Sequence, residues 1–315
     1  MISQITGPNS EPARPEFEGS WEQAHRNLTA AAFIGLLITG VVYFNAQTII
    51  SGILILINSS KDHAAFEGKT FLDRIIHGAA VMKNPVRYSL VISQFLFMLL
   101  PTIWIIKRWH TSRVFFYIRF TRVPFAELFL SVAIILCFVP LSGAISDFLM
   151  KQLHVPDFLA NINAQIFTSY SWKELVWLVV VVCITPAICE ETLFRGYVQR
   201  TLERTLGAKS LFITGAIFGL FHMQPLNLLS LALLGILIGY FSYRSKSILP
   251  AIAAHFTNNF LAVLSLYKLP DGQPAIELFS FEATFLMIIL SIIFGSTLLY
   301  MYHLATHRNF ENVLS

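Results

Sequence analysis

The feature that most constrains this chain is a series of apolar runs, each close to the length needed to cross a bilayer. A lipid core offers no water to backbone groups, so a spanning segment must pair them internally. An unbroken run of about 20 apolar residues does so as a helix. Composition agrees: of 315 residues, 55% are hydrophobic and 13% charged, against about 25% charged in soluble domains. The expected fold is therefore all-α, a polytopic transmembrane helical bundle of about eight membrane segments.

Those segments are expected at residues 28–57, 86–106, 124–150, 172–206, 210–223, 226–243, 248–267 and 281–303. The fifth is short. Its fourteen residues, at ~1.5 Å each, reach only ~21 Å of a ~30 Å core. It is expected to end inside the membrane near Pro225. Gly207 is placed to cap the end of the fourth. The domain reading is one bundle over 28–303, preceded by a mobile cytoplasmic tail over 1–27 and followed by a cytoplasmic tail over 304–315.

Charge sets the orientation. With both termini inside, fourteen of the twenty-two Lys and Arg fall on the cytoplasmic side and eight outside, as the positive-inside tendency asks. The net charge of +4 and pI of about 9.0 thus belong to topology, and no nucleic-acid partner is expected. The three cysteines, Cys137, Cys183 and Cys189, lie in apolar runs, where a disulfide framework is not expected. The polar start, with Glu11, Glu16, Glu18 and Glu22, is not that of a cleavable signal peptide. Gly68-Lys69-Thr70 echoes a phosphate-binding loop, but His63 stands where the earlier glycine belongs.

Against this apolar background the pair Glu190-Glu191 stands out. Ionisable groups within a membrane are rare, usually paired, and usually mark function. Solvation of both at the lipid–water interface is the plainer alternative. On a helix, Glu191 and Arg195 share a face and can pair, whereas Glu190 points about 100° away and has no local partner. Three more polar residues sit in apolar segments: His222 closing the short fifth, and His255 and Asn259 four apart in the seventh. Singly, each His is more often a satisfied interior residue. At a shared depth, Glu190, His222, His255 and Asn259 form a kit for hydrolysing an amide. A carboxylate and an imidazole can activate water and return a proton to the leaving amine. A second imidazole and a carboxamide can hold an oxyanion. Glu190, His222 and His255 could instead ligate zinc, although no His-Glu-x-x-His pattern is present. Nor is there a Gly-x-Ser-x-Gly elbow.

Three stretches, Glu190-Glu191-x-x-x-Arg195, Phe218-x-x-x-His222 and His255-x-x-x-Asn259, resemble the motifs of the CPBP family of intramembrane proteases. These are the type II CAAX prenyl endopeptidases and bacteriocin-processing or immunity (Abi) proteins. Flanking residues Leu193-Phe194-Arg195-Gly196-Tyr197 and Ser247-Ile248-Leu249-Pro250 agree, and the likeness covers roughly 172–266. It implies a cavity open toward the cytoplasm. It assigns Glu190 and His222 to water activation and His255 and Asn259 to the oxyanion, with Glu191 and Arg195 in support. The expected activity is endoproteolysis of a membrane-associated protein or peptide, with no cofactor required and zinc as the alternative. The expected location is a bacterial plasma membrane. Cys189 is read as an apolar filler, since burial disfavours the thiolate. A non-catalytic scaffold or immunity protein on the same fold is the competing reading. A proton-coupled transporter is a third, but it would call for repeated halves, which the sequence lacks.

Overall fold

The structure is a computed structural model and describes residues 17–59, 71–154, 166–269, 272–273 and 285–307. Its elements are α1 (Ser20–Gln23), α2 (Leu28–Ser59), α3 (71–110), α4 (Val114–Tyr117), α5 (Phe125–Gln152), α6 (Trp172–Leu206), α7 (Lys209–Phe221), α8 (Leu228–Ser245), α9 (Leu249–Ser265) and α10 (Phe285–Ala305). Six stretches are long and apolar enough to cross a membrane: α2, 82–110 of α3, α5, α6, 225–245 and 286–305. With the short α7 and the 17-residue α9, the eight expected segments are all helical. The chain is an integral membrane protein. The second segment is longer than its apolar run suggests, because the helix already begins at Phe71.

As expected, α7 stops short. It ends at Phe221, and the chain then turns through Met223 at positive φ and a single 3₁₀ turn, Pro225–Asn227, into α8. The two helices pack closely because small residues face one another. A Cβ on Gly235 would lie 2.9 Å from the Gly215 Cα, so larger residues there would push the helices apart. Without a hydrophobic drive between helices in lipid, such close backbone packing supplies the attraction.

In α6, π-helical turns at Val179–Ile184 and Thr192–Gln199 flank the short α-helical stretch Thr185–Glu191. The first precedes Pro186. Proline has no N–H, so the Val182 carbonyl one turn earlier loses its usual donor. In α3 the π-helical turn Gln94–Leu99 likewise precedes Pro101. Both widened turns lie beside the polar residues described below, which fits the frequent placement of such turns at functional positions.

Part of the stretch expected to be a mobile tail is docked. Glu22 accepts hydrogen bonds from His110 Nδ1 at 2.6 Å and from both terminal nitrogens of Arg204 at 2.5 and 3.0 Å. Trp21 packs on Trp109 with ring centroids 4.8 Å apart, and the Arg204 guanidinium lies 3.9 Å from the Phe17 ring centroid. Burial raises the Glu22 carboxyl, but the His110 and Arg204 hydrogen bonds outweigh it and hold the group at about 2. An aromatic and charge-paired anchor, more than chain polarity, thus fixes residues 17–23. Residues 1–16 of that expected tail, and 308–315 of the other, lie outside the described residues.

Candidate active site

α6 runs 35 residues, about 52 Å, and Glu190 and Glu191 sit near its middle. Both are buried, Glu191 completely. The pairing expected between Glu191 and Arg195 is present: Arg195 Nη1 donates to Glu191 Oε1 at 2.7 Å. Arg195 Nη2 donates to the Gly235 carbonyl of α8 at 2.8 Å. One turn along, Gln199 Nε2 donates to the Gly239 carbonyl at 3.0 Å. Glycines four apart on α8 thereby bring backbone oxygens within reach of side chains four apart on α6.

Glu191 does more than the expected ion pair. His255 Nδ1 lies 2.7 Å from the same Oε1. A carboxylate accepts, so Nδ1 carries the hydrogen, and the ring orientation is fixed with Nε2 on the far side. His255 is six residues into α9, about 9 Å from its start. His255 of α9 is thereby joined to Glu191 of α6.

Glu190 faces a different set of groups. Gln94 Nε2, from the middle of α3, donates to its Oε1 at 3.0 Å. Among the described residues its Oε2 has no hydrogen-bond partner, and it lies 3.9 Å from His222 Nε2. His222 is the residue just past the last turn of α7, and its Nδ1 lies 2.8 Å from the Phe218 carbonyl. A carbonyl can only accept, so Nδ1 carries the hydrogen. In the neutral ring, Nε2 then presents its lone pair toward Glu190. The 3.9 Å gap is too long for a direct hydrogen bond and short enough for both groups to reach one water.

Asn259 shares a face of α9 with His255, as expected, and its Nδ2 donates to the Val182 carbonyl at 2.8 Å. That is the carbonyl freed by Pro186. One of its two Nδ2 hydrogens thus satisfies that carbonyl, leaving the second as a donor. Asn258 Nδ2 donates to Asn259 Oδ1 at 3.1 Å, so Asn258 fixes which way the carboxamide points. Helix periodicity alone would leave Asn258 dispensable. Beyond it lies a cavity of about 360 Å³ bordered by Ser142, Ser146, Gln224, Asn227 and Asn258.

Phe218 packs against both candidate histidines. Its ring centroid is 4.7 Å from that of His222 and 5.7 Å from that of His255, and the Arg195 guanidinium sits 4.6 Å from it. Cys189 is fully buried in an apolar cluster with Leu193, Phe194 and Phe218, consistent with a filler. A zinc site built from Glu190, His222 and His255 would need the three to meet at one point. Among the described residues, no three His, Cys, Asp or Glu side chains are grouped that way.

Sequence reasoning missed Gln94 and the second role of Glu191. Gln94 carried a readable signal: with Ser93 it interrupts an otherwise apolar run, and a carboxamide there needs a partner. The link from Glu191 to His255 had none, because it depends on how α6 and α9 face each other.

Residues 172–261 match the family model described as Rce1-like, type II CAAX prenyl endopeptidase. No curated protein and no solved structure gives a significant match. The matched stretch holds Glu190, Glu191, Arg195, His222, His255 and Asn259, so the family motifs read in the sequence and the polar cluster in the bundle are the same residues. Across α6, α7, α8 and most of α9, this membrane protein is therefore similar to the Rce1-like type II CAAX prenyl endopeptidase family.

Proposed function

We propose that this chain is an intramembrane endopeptidase whose water is activated by Glu190 and His222. The observation that carries the reading is the facing pair: an unpartnered Glu190 oxygen 3.9 Å from a His222 Nε2 whose ring is fixed by Phe218. Glu190 accepts a proton from water as its oxygen bonds to the scissile carbonyl carbon. The proton passes to His222 Nε2 and then to the leaving amine as the C–N bond breaks. No external base and no metal is required.

The oxyanion falls to His255 and Asn259. His255 spends Nδ1–H on Glu191, which turns Nε2 toward the substrate side as its point of contact with the oxyanion. The second Nδ2 hydrogen of Asn259 completes the pair of donors. The substrate is a membrane-associated protein or peptide, in keeping with the family matched, and the termini face the cytoplasm by the Lys and Arg distribution.

The test is purified full-length protein in liposomes together with membranes from producing cells. Wild type should create new N-termini that Glu190→Gln does not. Activity should survive chelation. Stoichiometric zinc whose removal and return track activity would replace the metal-free route with the zinc alternative. Equal activity of wild type and Glu190→Gln would overturn the assignment.

A further inference from the structure

At the basic end of the bundle, two loops come together that the proposed chemistry does not use. One, following α4, carries Arg119; the other, joining α8 to α9, carries Lys246. Both residues adopt positive φ, 56° and 54°, which L side chains rarely do and which costs backbone energy. The loops are tied by hydrogen bonds from Ile248 N–H to the Arg119 carbonyl at 3.0 Å, from Thr121 Oγ1 to the Lys246 carbonyl at 3.3 Å, and from Ser247 Oγ to the Thr121 carbonyl at 2.7 Å.

Arg200 of α6 joins them. Among the described residues its Nε is buried without a hydrogen-bond partner, and Arg119 and Arg204 are close enough to repel it. Arg119, Arg200 and Lys246 all act on one another electrostatically, and the carboxylate that acts on all three is Glu203. Glu203 is already engaged by Arg119 at 2.7 Å and by Gln199 at 3.0 Å. Burial first, then the nearby arginines, push the Lys246 amine down to about 8. A topological signal alone asks for exposed cations. These are half-buried and mutually repelling, and Arg119 and Lys246 are held on strained backbone.

We propose that Arg119, Arg200 and Lys246 form a binding site for a phosphate group, supplied by an anionic phospholipid at the membrane surface. A phosphate would bring acceptor oxygens to Arg200 Nε and relieve the repulsion among the three cations. The lipid source follows from position: the loops close the ends of membrane-spanning helices, where the charged leaflet attracts cations. The site is separate from the proposed catalysis, since Arg200 lies ten residues beyond Glu190 on α6, about 15 Å along the helix.

The experiment is thermal-shift titration of the purified full-length chain in detergent with phosphatidylglycerol, phosphatidylcholine and inorganic phosphate, combined with native mass spectrometry of copurified lipid. Phosphatidylglycerol should raise the melting temperature, and phosphatidylcholine should not. Arg200→Gln and Lys246→Gln should each weaken the apparent affinity about fivefold, the usual worth of one surface cation. Arg113→Gln, exposed on the preceding loop, should change it less than twofold. A matching shift with inorganic phosphate would retain the site and name a soluble ligand. If Arg200→Gln does not fold, the wild-type lipid preference and Lys246→Gln decide. Equal shifts with both lipids, an equal loss in Arg113→Gln, or tighter binding of an acidic peptide would overturn the proposal.

Discussion

Around Glu191, α6, α8 and α9 are closed into one polar network. Around Glu190, one residue earlier, α3, α6 and α7 leave a carboxylate oxygen and an imidazole nitrogen facing each other across 3.9 Å. In the first region, one oxygen accepts from Arg195 and His255 at 2.7 Å each. The contrast shows how neighbouring residues of one type can be divided between structure and chemistry. A 100° step around a helix gives one Glu the Arg195 guanidinium and the His255 ring and the other the neutral donor Gln94. Among the described residues each carboxylate keeps one oxygen without a hydrogen-bond partner, but Glu191 is tied through the other to Arg195 and His255. The unpartnered oxygen of Glu190 is the one that faces an imidazole nitrogen, that of His222.

The largest effect should come from breaking the open side. Glu190→Gln is expected to lower turnover in liposomes by about 10³–10⁴, the upper range for loss of a general base, with melting temperature nearly unchanged. A comparable loss of stability would move Glu190 to the structural side of the comparison.

Asn259→Ala comes next and tests both sides at once. Turnover should fall about 10²–10³ for the lost oxyanion donor. Stability should also fall by about 1–3 kcal/mol, because the Val182 carbonyl is left unpaired in the interior. If only stability falls, Asn259 serves to satisfy the Val182 carbonyl and the oxyanion assignment is wrong.

For Glu191→Gln the order of effects should reverse. Removing the carboxylate leaves Arg195 and His255 without their partner, which costs about 3–5 kcal/mol when a buried pair is broken. Activity of the fraction that folds should drop about 10²-fold from misplacement of His255. Urea unfolding beside turnover separates the two. A larger activity loss than in Glu190→Gln would exchange the roles of the two carboxylates.

Gln94→Leu should be milder, about tenfold in turnover, as Glu190 loses its one direct hydrogen bond. Full activity would mean that His222 alone sets the position of Glu190.

The smallest effect lies away from both regions. Glu22→Gln should leave turnover unchanged and reduce stability by about 1 kcal/mol, near the top of the range for a partly exposed ion pair. The folded carboxyl is depressed to about 2 from 4.5. Its contribution is therefore present above pH 4.5 and lost as pH falls toward 2. Melting curves between pH 3 and 7 should converge for wild type and variant at the acidic end. A gap that widens on acidification would contradict this.

The eight segments and the four proposed catalytic residues were legible because both leave local marks. Apolar length reports the lipid core directly, and Glu190, His222, His255 and Asn259 are polar interruptions in that pattern. The Glu191–Arg195 pair was legible for the same local reason, being four apart on one helix. The bond from Glu191 to His255 spans 64 residues and depends on helix rotation, which hydropathy does not encode. Pro186 was visible, but that its orphaned carbonyl would engage Asn259 required the packing of α9 on α6. The anchor at Glu22 was hidden because polarity and three prolines in the first fifteen residues resemble a free tail. Its holding groups, His110 and Arg204, are remote in the chain.

The buried ion network of α6 also has a consequence for how the protein enters its membrane. Each charged residue near the centre of a spanning helix costs about 2.5–3.5 kcal/mol at insertion, while each strongly apolar one returns only about 0.3–0.6. Glu190, Glu191 and Arg195 together therefore offset much or all of what the run 175–189 contributes. Arg195 gains its Gly235 acceptor only when α8 has been made, and Glu191 gains His255 only with α9. On leaving the ribosome, α6 is expected to linger at the translocation channel until about sixty further residues have followed. It would then pass into lipid together with the helices that complete its charges.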